Sequence, residues 1–217
     1  MIAARQSLAE QYRPSQWSDV VGQTKAKATI ETLRKRGLAG RAYWLTGQTG
    51  IGKTTIARLI AGEVADDYFV SELDASLLTP SRLKDIDSDM WLYAPGKGGR
   101  AYIVNEAHGL RSSAIRQLLV MLEALPSHVV WIFTTTKAGA EQLFEDQIDA
   151  NPLIHRCVEL PLTNQGLCKP AAKRLQTIAQ TEGLDGQPIE AYERLMKRCN
   201  NSIRACLQQI ENGAMIQ

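Results

Sequence analysis

The chain has 217 residues, of which 44% are hydrophobic and 22% are charged, and its 25 basic and 23 acidic side chains leave a formal net charge of +2. This composition is typical of a globular protein, and the balanced charge excludes nucleic-acid binding through overall positive charge, so any such contact needs a local basic patch. No apolar run approaches the ~20 residues of a membrane span, and the N-terminus lacks the apolar core of a signal peptide, so we expect a cytoplasmic protein with no membrane partner.

Short apolar runs rich in β-branched and aromatic residues alternate with helical patterns over residues 1–161. This alternation predicts βαβ units, and therefore an α/β domain with a five-stranded, mostly parallel sheet that carries helices on both faces. The predicted strands are Ala42–Thr46, Tyr68–Leu73, Ala101–Asn105, Val129–Thr134 and Cys157–Leu160. The predicted helices are Lys53–Glu63, Ser81–Tyr93, Ser112–Leu125 and a stretch around Ala138–Phe144.

The pattern changes after Pro161, where no further strand is predicted. The segments Cys168–Glu182, Ile189–Cys199 and Ser202–Glu211 are typical of helices. Gly183 and Gly213 follow two of them, as C-terminal caps do. We therefore predict a small all-helical domain over residues 162–217 that packs against the first domain.

The first predicted strand and helix are joined by a glycine-rich loop that reads G-Q-T-G-I-G-K-T and fits the pattern G-x-x-x-x-G-K-[ST]. Its glycines let backbone N–H groups point at phosphate oxygens, and the following helix adds the positive end of its dipole. Lys53 should reach the β- and γ-phosphates, and the Thr54 hydroxyl should ligate Mg²⁺, so ATP and Mg²⁺ are the expected ligands. The residues assigned to this P-loop are Gly47, Gln48, Thr49, Gly50, Ile51, Gly52, Lys53, Thr54 and Thr55.

A P-loop enzyme also needs an acidic residue at the end of a neighbouring strand, to hold the Mg²⁺ shell and orient the attacking water. Asn105 and Glu106 follow the strand that begins at Ala101. Asn105 stands at the metal position, where it keeps one acceptor oxygen but lacks the charge of an aspartate. We expect it to hold Mg²⁺ through water, with Glu106 as the catalytic base and with slow hydrolysis. Taken alone, N-E-A-H fits a capped strand end as well.

The motifs follow the order found in AAA+ ATPases of the clamp-loader kind, such as the small subunits of replication factor C, and the chain resembles that family from about Leu8 to Gln209. The N-terminal segment L-A-E-Q-Y-R-P and the later S-I-R of the helical domain are moderately specific, while the P-loop and R-C elements are more so. The matching segments are Leu8–Pro14 and Asp19–Gln23 at the N-terminus, Gly47–Thr54 as Walker A, Asn105–His108 as the D-E-A-H form of Walker B, Val130–Thr136 as the sensor 1 strand, Pro152–Cys157 as the S-R-C segment with His155 in place of Ser, and Ser202–Arg204 as sensor 2.

The resemblance implies further roles at the nucleotide. The N-terminal segment would wrap the adenine, and Thr136, or Thr135 beside it, would contact the γ-phosphate or the attacking water. Arg204 would sense the γ-phosphate from the helical lid. The residues implied around the adenine are Tyr12, Arg13, Val20 and Val21.

Arg156 matches the arginine finger of the family, which reaches the nucleotide of a neighbouring subunit. A finger that acts in trans implies a homo-oligomeric or hetero-oligomeric ring or spiral. Read without the family, Arg156 is equally a surface ion-pair residue.

The resemblance also implies a DNA-facing surface on the segment after the second strand and on the helix after Walker B. Solvated helix faces are the alternative explanation for the polar residues there. The residues expected to contact DNA phosphates are Ser76, Arg82, Arg111 and Arg116.

The function that the resemblance implies is ATP-dependent assembly of a ring on DNA in replication or repair, with a sliding clamp or another replication protein as client. The sequence stops soon after the lid and lacks the family's C-terminal collar, so we expect a minimal relative, encoded by a phage or another mobile element. Two other functions share these motifs: an ATP-gated oligomeric scaffold with little hydrolysis, and a DNA motor of the branch-migration type.

Overall fold

The computed structural model describes residues 6–136, 140 and 150–216. Within these residues, five strands form one sheet in the order β2-β3-β4-β1-β5, and every neighbouring pair is parallel. The prediction of a five-stranded parallel sheet is confirmed. The strands are β1 (Arg41–Thr46), β2 (Val70–Asp74), β3 (Arg100–Asn105), β4 (Val129–Thr135) and β5 (Cys157–Pro161).

The helices agree with the predicted ones within three residues at each end. Three helices were not predicted: the short α1 and α6, and α2, whose apolar face is narrow. The predicted helix around Ala138–Phe144 lies outside the described residues except for Ala140. The helices are α1 (Leu8–Gln11), α2 (Thr24–Arg34), α3 (Lys53–Val64), α4 (Pro80–Met90), α5 (Ser112–Glu123), α6 (Ala150–His155), α7 (Cys168–Thr181), α8 (Ile189–Arg198) and α9 (Ile203–Glu211).

The three central strands are apolar on both faces because helices cover the sheet on each side. All seven residues of β4 are buried, and alternate side chains point to opposite faces. On one face Tyr43, Leu45, Ile103, Val130 and Ile132 pack against α3, and on the other Trp44, Val104, Trp131 and Phe133 pack against α4 and α5.

The lid helices α7, α8 and α9 share the apolar core of the α3 face. Leu175, Ile178 and Leu207 belong to the same cluster of buried residues as Ile56 on α3. Residues before and after Pro161 pack in one apolar core, so the division of the chain into residues 1–161 and 162–217 stays a proposal. No helix in the described parts of the chain is both long and apolar enough to cross a bilayer.

Glycine caps end two of the lid helices. Gly183 has φ +70° after α7, and Leu184 N–H donates to the carbonyl of Ala179 over 2.8 Å. Gly213 has φ +85° after α9, and Ala214 N–H donates to Gln209 over 3.0 Å. These are the bonds of a Schellman motif, and they confirm the predicted caps.

Two glycines near α3 should respond oppositely to replacement by alanine. A Cβ at Gly99 would lie 2.3 Å from the carbonyl oxygen of Val64 and 2.9 Å from that of His128, so Gly99→Ala should lower the free energy of unfolding by about 1–3 kcal/mol. A Cβ at Gly62, inside α3, would meet no atom within 4 Å, so Gly62→Ala should raise it by about 0.5–1 kcal/mol. Urea unfolding of both variants checks this, and a shift in the same direction for both would contradict the packing described.

Candidate nucleotide-binding site

The loop between β1 and α3 has the curled backbone that phosphate binding requires. Gly47, Gly50 and Gly52 have φ of +153°, +81° and +106°, the region that favours glycine. A Cβ at Gly47 would lie 2.6 Å from Ile51 Cδ1 and 3.0 Å from the carbonyl oxygen of Leu162. The strand–loop–helix context that the motif needs is therefore present, and the loop forms a cradle that larger residues would fill.

Lys53 lies under this loop and holds it closed. Its Nζ donates to the carbonyl oxygens of Gly47 and Gln48 over 2.8 and 2.9 Å, and the residue is only 7% exposed. Burial lowers the pKa of Lys53, Glu106 acts against this shift, and the positive charge of Arg204 adds to it. A bound polyphosphate would supply the anionic charge that this buried ammonium lacks.

A cavity opens beside the loop, between α1, α3 and the lid helices α7 and α9. Its apolar part suits a flat base, and its polar part contains the N-terminus of α3. The cavity is lined by Ala9, Tyr12, Arg13, Pro14, Asp19, Val20, Val21, Thr49, Gly50, Ile51, Gly52, Lys53, Thr54, Thr55, Glu106, Arg174, Ile178, Ile203, Arg204 and Leu207. All four residues assigned to the adenine and the P-loop residues from Thr49 to Thr55 therefore line one cavity.

The lid holds the N-terminal segment at this cavity through contacts that the sequence did not indicate. The Tyr12 hydroxyl donates to Glu182 Oε1 over 2.6 Å, and this carboxylate raises the pKa of Tyr12. Arg174 Nη2 donates to the carbonyl oxygen of Tyr12 over 3.4 Å. Both partners lie more than 160 residues from Tyr12, so no local pattern could reveal them.

The lid also contacts the P-loop directly. Ile203 N–H, at the start of α9, donates to the carbonyl oxygen of Gly50 over 3.2 Å. A Cβ at Gly50 would lie 2.0 Å from Ser202 Oγ, so glycine permits this close approach. Arg204 follows immediately and lines the cavity, which places the sensor 2 candidate beside the phosphate loop.

The oxygen donors near the end of β3 suit Mg²⁺, which prefers oxygen ligands and retains several waters. Thr54 lines the cavity, and Asn105 is the last residue of β3. The Asn105 Oδ1 accepts from Thr134 Oγ1 over 3.0 Å, while its Nδ2 donates to Glu72 Oε1 over 2.7 Å. Neither Thr134 nor Glu72 was among the predicted site residues.

Glu106 lies in the cavity wall with φ +52°, a left-handed conformation that is uncommon for a residue other than glycine. Its Oε2 is 3.5 Å from Nδ1 of His108, and that nitrogen is 3.1 Å from Thr135 Oγ1. Thr135 is fully buried and faces His108, away from Thr134. Thr136 directly follows β4 and is only partly buried, so it remains the sensor 1 candidate of the predicted pair.

Arg156 lies at the amino-terminal ends of the strands, whereas the P-loop lies at their carboxyl-terminal ends. It directly precedes β5, and Cys157 pairs with Ala42 near the start of β1, whereas Gly47 follows the end of β1. The distance along the strand is about 16 Å. Arg156 Nη1 donates to the carbonyl oxygen of Pro152 over 3.1 Å, and Nη2 pairs with Glu123.

The arginines assigned to DNA lie at the N-terminal turns of two adjacent helices. Arg82 in α4, and Arg111 and Arg116 at the start of α5, are exposed. Ser76 differs, because its hydroxyl and its N–H both donate to Asp74 Oδ1, and these bonds lower the pKa of Asp74. The Asp74 carboxylate would repel a phosphate, and the Ser76 hydroxyl proton is already donated to it. Ser76 is therefore poorly suited to donate a hydrogen bond to phosphate.

Comparison with known proteins relates most of the chain to subunits of DNA polymerase III. It is 26% identical to DNA polymerase III subunit tau of Salmonella typhimurium over 93% of this chain and 34% of that protein. It is 28% identical to DNA polymerase III subunit gamma of Buchnera aphidicola from Acyrthosiphon pisum over 96% of this chain and 61% of that protein. The chain thus spans about a third of the tau subunit. No protein-family model matches the chain.

Among solved structures, the fold is similar to the Thermotoga maritima RuvB Holliday junction branch migration motor, with a TM-score of 0.71 and 20% identity over 92% of this chain and 64% of that one. The structural likeness confirms the predicted α/β fold, a parallel sheet with helices on both faces followed by a helical region. The sequence relatives bear out the resemblance to AAA+ ATPases of the clamp-loader kind.

The contacts of Lys53 predict the effect of its removal. Lys53→Ala should weaken nucleotide affinity roughly 100-fold or more, because it removes the ammonium expected at the phosphates and both hydrogen bonds that close the loop. Titration with a fluorescent ATP analogue measures this. Lys84→Ala, which removes an exposed lysine of α4 outside the cavity, is the matched control and should bind like the parent. Equal affinity of both variants would rule out the P-loop as the binding site.

Proposed function

We propose that the chain is an ATP-binding and ATP-hydrolysing AAA+ subunit of the clamp-loader type, which assembles into a homo- or hetero-oligomeric ring or spiral and acts on DNA. The observation that carries this proposal is the separation of Arg156 from the cavity of its own chain. The cavity contains a phosphate loop, a carboxylate and the sensor arginine, whereas Arg156 lies at the opposite, amino-terminal end of the strands. A second subunit would bring the two together.

The roles of the residues follow from their positions. Lys53, the N–H groups of the P-loop and the N-terminus of α3 bind the phosphates, and the apolar wall beside Tyr12 holds the adenine. Glu106 accepts the proton of the attacking water, and Thr136 orients that water from the end of β4. Thr54 and, through water, Asn105 would hold Mg²⁺, which would neutralise charge on the phosphates when bound. Arg156 of a neighbouring subunit stabilises the charge that develops during transfer.

The lid should couple nucleotide binding to subunit position. Arg204 and Arg174 reach the cavity from α9 and α7, so a bound triphosphate would attract both lid helices towards the P-loop. The contact between Gly50 and Ile203 shows that these parts already touch. A change in phosphate charge would then alter the angle between the lid and the sheet. The position of a neighbouring subunit packed against them would change as well.

DNA is the proposed partner on the surface formed by the N-terminal turns of α4 and α5. Arg82, Arg111 and Arg116 supply guanidinium donors there. The relatives named as DNA polymerase III subunits support a role in replication or repair, with a sliding clamp or another replication protein as client.

One observation favours a second function, an ATP-gated scaffold with little turnover. Asn105 brings no negative charge to the metal shell, and hydrogen bonds from metal-bound water to an amide are weaker than those to a carboxylate. Steady-state ATPase rates with and without DNA separate the two functions: measurable turnover supports the clamp-loader type, and ATP-dependent assembly without turnover supports the scaffold.

Arg156 should act in trans. Arg156→Ala should retain nucleotide affinity and lose turnover by roughly 10³-fold, the usual contribution of an arginine finger. Mixing this variant with Lys53→Ala should restore part of the turnover, since one subunit then supplies the P-loop and the other supplies the finger. Arg36→Ala, at the exposed end of α2, is the control and should keep the parent rate. Normal turnover by Arg156→Ala would place the finger elsewhere.

The DNA surface predicts a change in salt dependence. The double variant Arg82→Ala/Arg116→Ala should bind DNA more weakly, and its slope of log affinity against log salt should fall by about 1.5 to 2 because two phosphate contacts are lost. Fluorescence anisotropy across a salt series measures this slope.

The charge-matched control for that experiment is Lys25→Ala/Arg36→Ala, which changes one residue at the start of α2 and one just after its end; α2 packs on the other face of the sheet. It removes the same charge away from the proposed surface, so its slope should stay at the parent value. Equal slopes for the two double variants would mean that the arginines of α4 and α5 do not contact phosphate.

A further inference from the structure

The side-chain amide of Asn105, the residue at the expected metal position, is hydrogen-bonded through both its oxygen and its nitrogen. Its Oδ1 accepts from Thr134 Oγ1 over 3.0 Å, and its Nδ2 donates to Glu72 Oε1 over 2.7 Å. The other oxygen of Glu72 accepts from Nε and Nη2 of Arg58 over 2.9 and 2.8 Å. These four residues come from β4, β3, β2 and α3, and we refer to them as the Asn105 network.

The network fixes which way the amide points. A carboxylate only accepts hydrogen bonds, so the NH₂ group of Asn105 must face Glu72 and the carbonyl oxygen must face Thr134. A carbonyl oxygen has two lone pairs, and Thr134 uses one of them. The second is available to a water of the metal shell.

The network lies on the α3 side of the sheet, where the metal is expected. Arg58 lies four residues after Thr54 on α3, and residues four apart share one helix face. The guanidinium of Arg58 offsets the charge of Glu72 and keeps its side chain directed at Asn105. Glu72 is about one third exposed, with 31% of its side-chain surface accessible, so neither residue of this ion pair is a buried core residue.

We propose that Glu72 is a positioning residue of the metal site that acts through Asn105. The carboxylate orients the amide and polarises it, so that the Asn105 carbonyl oxygen is a stronger acceptor for metal-bound water than an isolated amide. The negative charge that the site lacks at residue 105 is thus present one strand away, on β2. This inference rests on the proposed binding of Mg²⁺ and nucleotide.

The pairing changes what aspartate would do at residue 105. From the sequence alone, Asn105→Asp should improve the site because it restores the charge of Walker B. In the structure it would replace a donor by a second carboxylate at hydrogen-bonding distance from Glu72, and the two like charges would repel. Asn105 and Glu72 therefore depend on each other. A carboxylate can be moved from residue 72 to residue 105 only if residue 72 becomes an amide at the same time.

The test is a double-mutant cycle of Glu72→Gln and Asn105→Asp, read as the Mg²⁺ concentration that gives half-maximal binding of a fluorescent, non-hydrolysable ATP analogue. Each single variant should need roughly fivefold more Mg²⁺, because a charge-assisted hydrogen bond is lost or replaced by repulsion. The double variant keeps one carboxylate and one amide with donor and acceptor reversed, so its Mg²⁺ requirement should return to within about twofold of the parent.

Two controls separate this role from a general effect on folding. Affinity for the analogue in excess EDTA should be equal in all four proteins, because Lys53 and the P-loop do not depend on Glu72. Glu63→Gln removes a different glutamate that pairs with an arginine, Arg34, and should leave the Mg²⁺ requirement unchanged. Thermal unfolding without nucleotide should show that every variant is folded.

The inference is overturned if Glu72→Gln has the parent's Mg²⁺ requirement, or if the double variant is worse than either single one. A parent protein that binds no nucleotide at any Mg²⁺ concentration contradicts the proposed function itself. Parent binding that depends on Mg²⁺ with an unaffected Glu72→Gln variant contradicts only the role of Glu72, so the two failures are distinguishable.

Discussion

The buried ammonium of Lys53 is the constraint on which the rest of the site depends. It is enclosed by a loop whose glycines are required for the curvature, and its hydrogen-bond partners are the neutral carbonyl oxygens of that loop. Desolvation makes this charge unfavourable until an anion arrives, which is the physical reason that burial lowers the pKa of Lys53. The N-terminal segment with Arg13, the N-terminus of α3, and the lid with Arg174 and Arg204 place further positive groups around the same cavity, so a polyphosphate would meet several of them at once.

The lid is a part of this arrangement because its contacts reach both ends of the nucleotide cavity. Glu182 and Arg174 hold the segment around Tyr12, and the start of α9 rests on Gly50. Because the lid contacts both the segment around Tyr12 and the P-loop at Gly50, a movement at one contact should disturb the other. Binding energy at the phosphates is therefore available to reposition the N-terminal segment, which is the kind of coupling that a nucleotide-dependent assembly needs.

The parts of this site that the sequence predicts are those set by neighbouring residues. The P-loop, the helix that follows it, the strand pattern and the glycine caps depend on a few adjacent positions, and local chemistry determines them. The order of the strands does not depend on adjacent residues, and the missed contacts follow from that order. Glu72 contacts Asn105 because β2 lies beside β3, and Thr134 contacts Asn105 because β4 lies on the other side of β3. The partners of Tyr12 and Arg156 were unpredictable for the same reason, since each joins distant segments of the chain.

The departure of Asn105 from the family pattern has a different meaning once its neighbours are known. Considered as a single position, it is an aspartate that has lost its charge, and the expected consequence is a weaker metal site. Considered with Glu72 and Arg58, the local charge is one carboxylate, one guanidinium and one amide that connects the carboxylate to the metal position. Under this proposal the Glu72 carboxylate acts on metal-bound water through the amide, from farther away than an aspartate at residue 105 would, and Arg58 offsets part of its charge. The field at the water would therefore be weaker. Hydrolysis, which responds to the charge at the reacting atoms, would be affected more than nucleotide binding, which also depends on Lys53 and the P-loop.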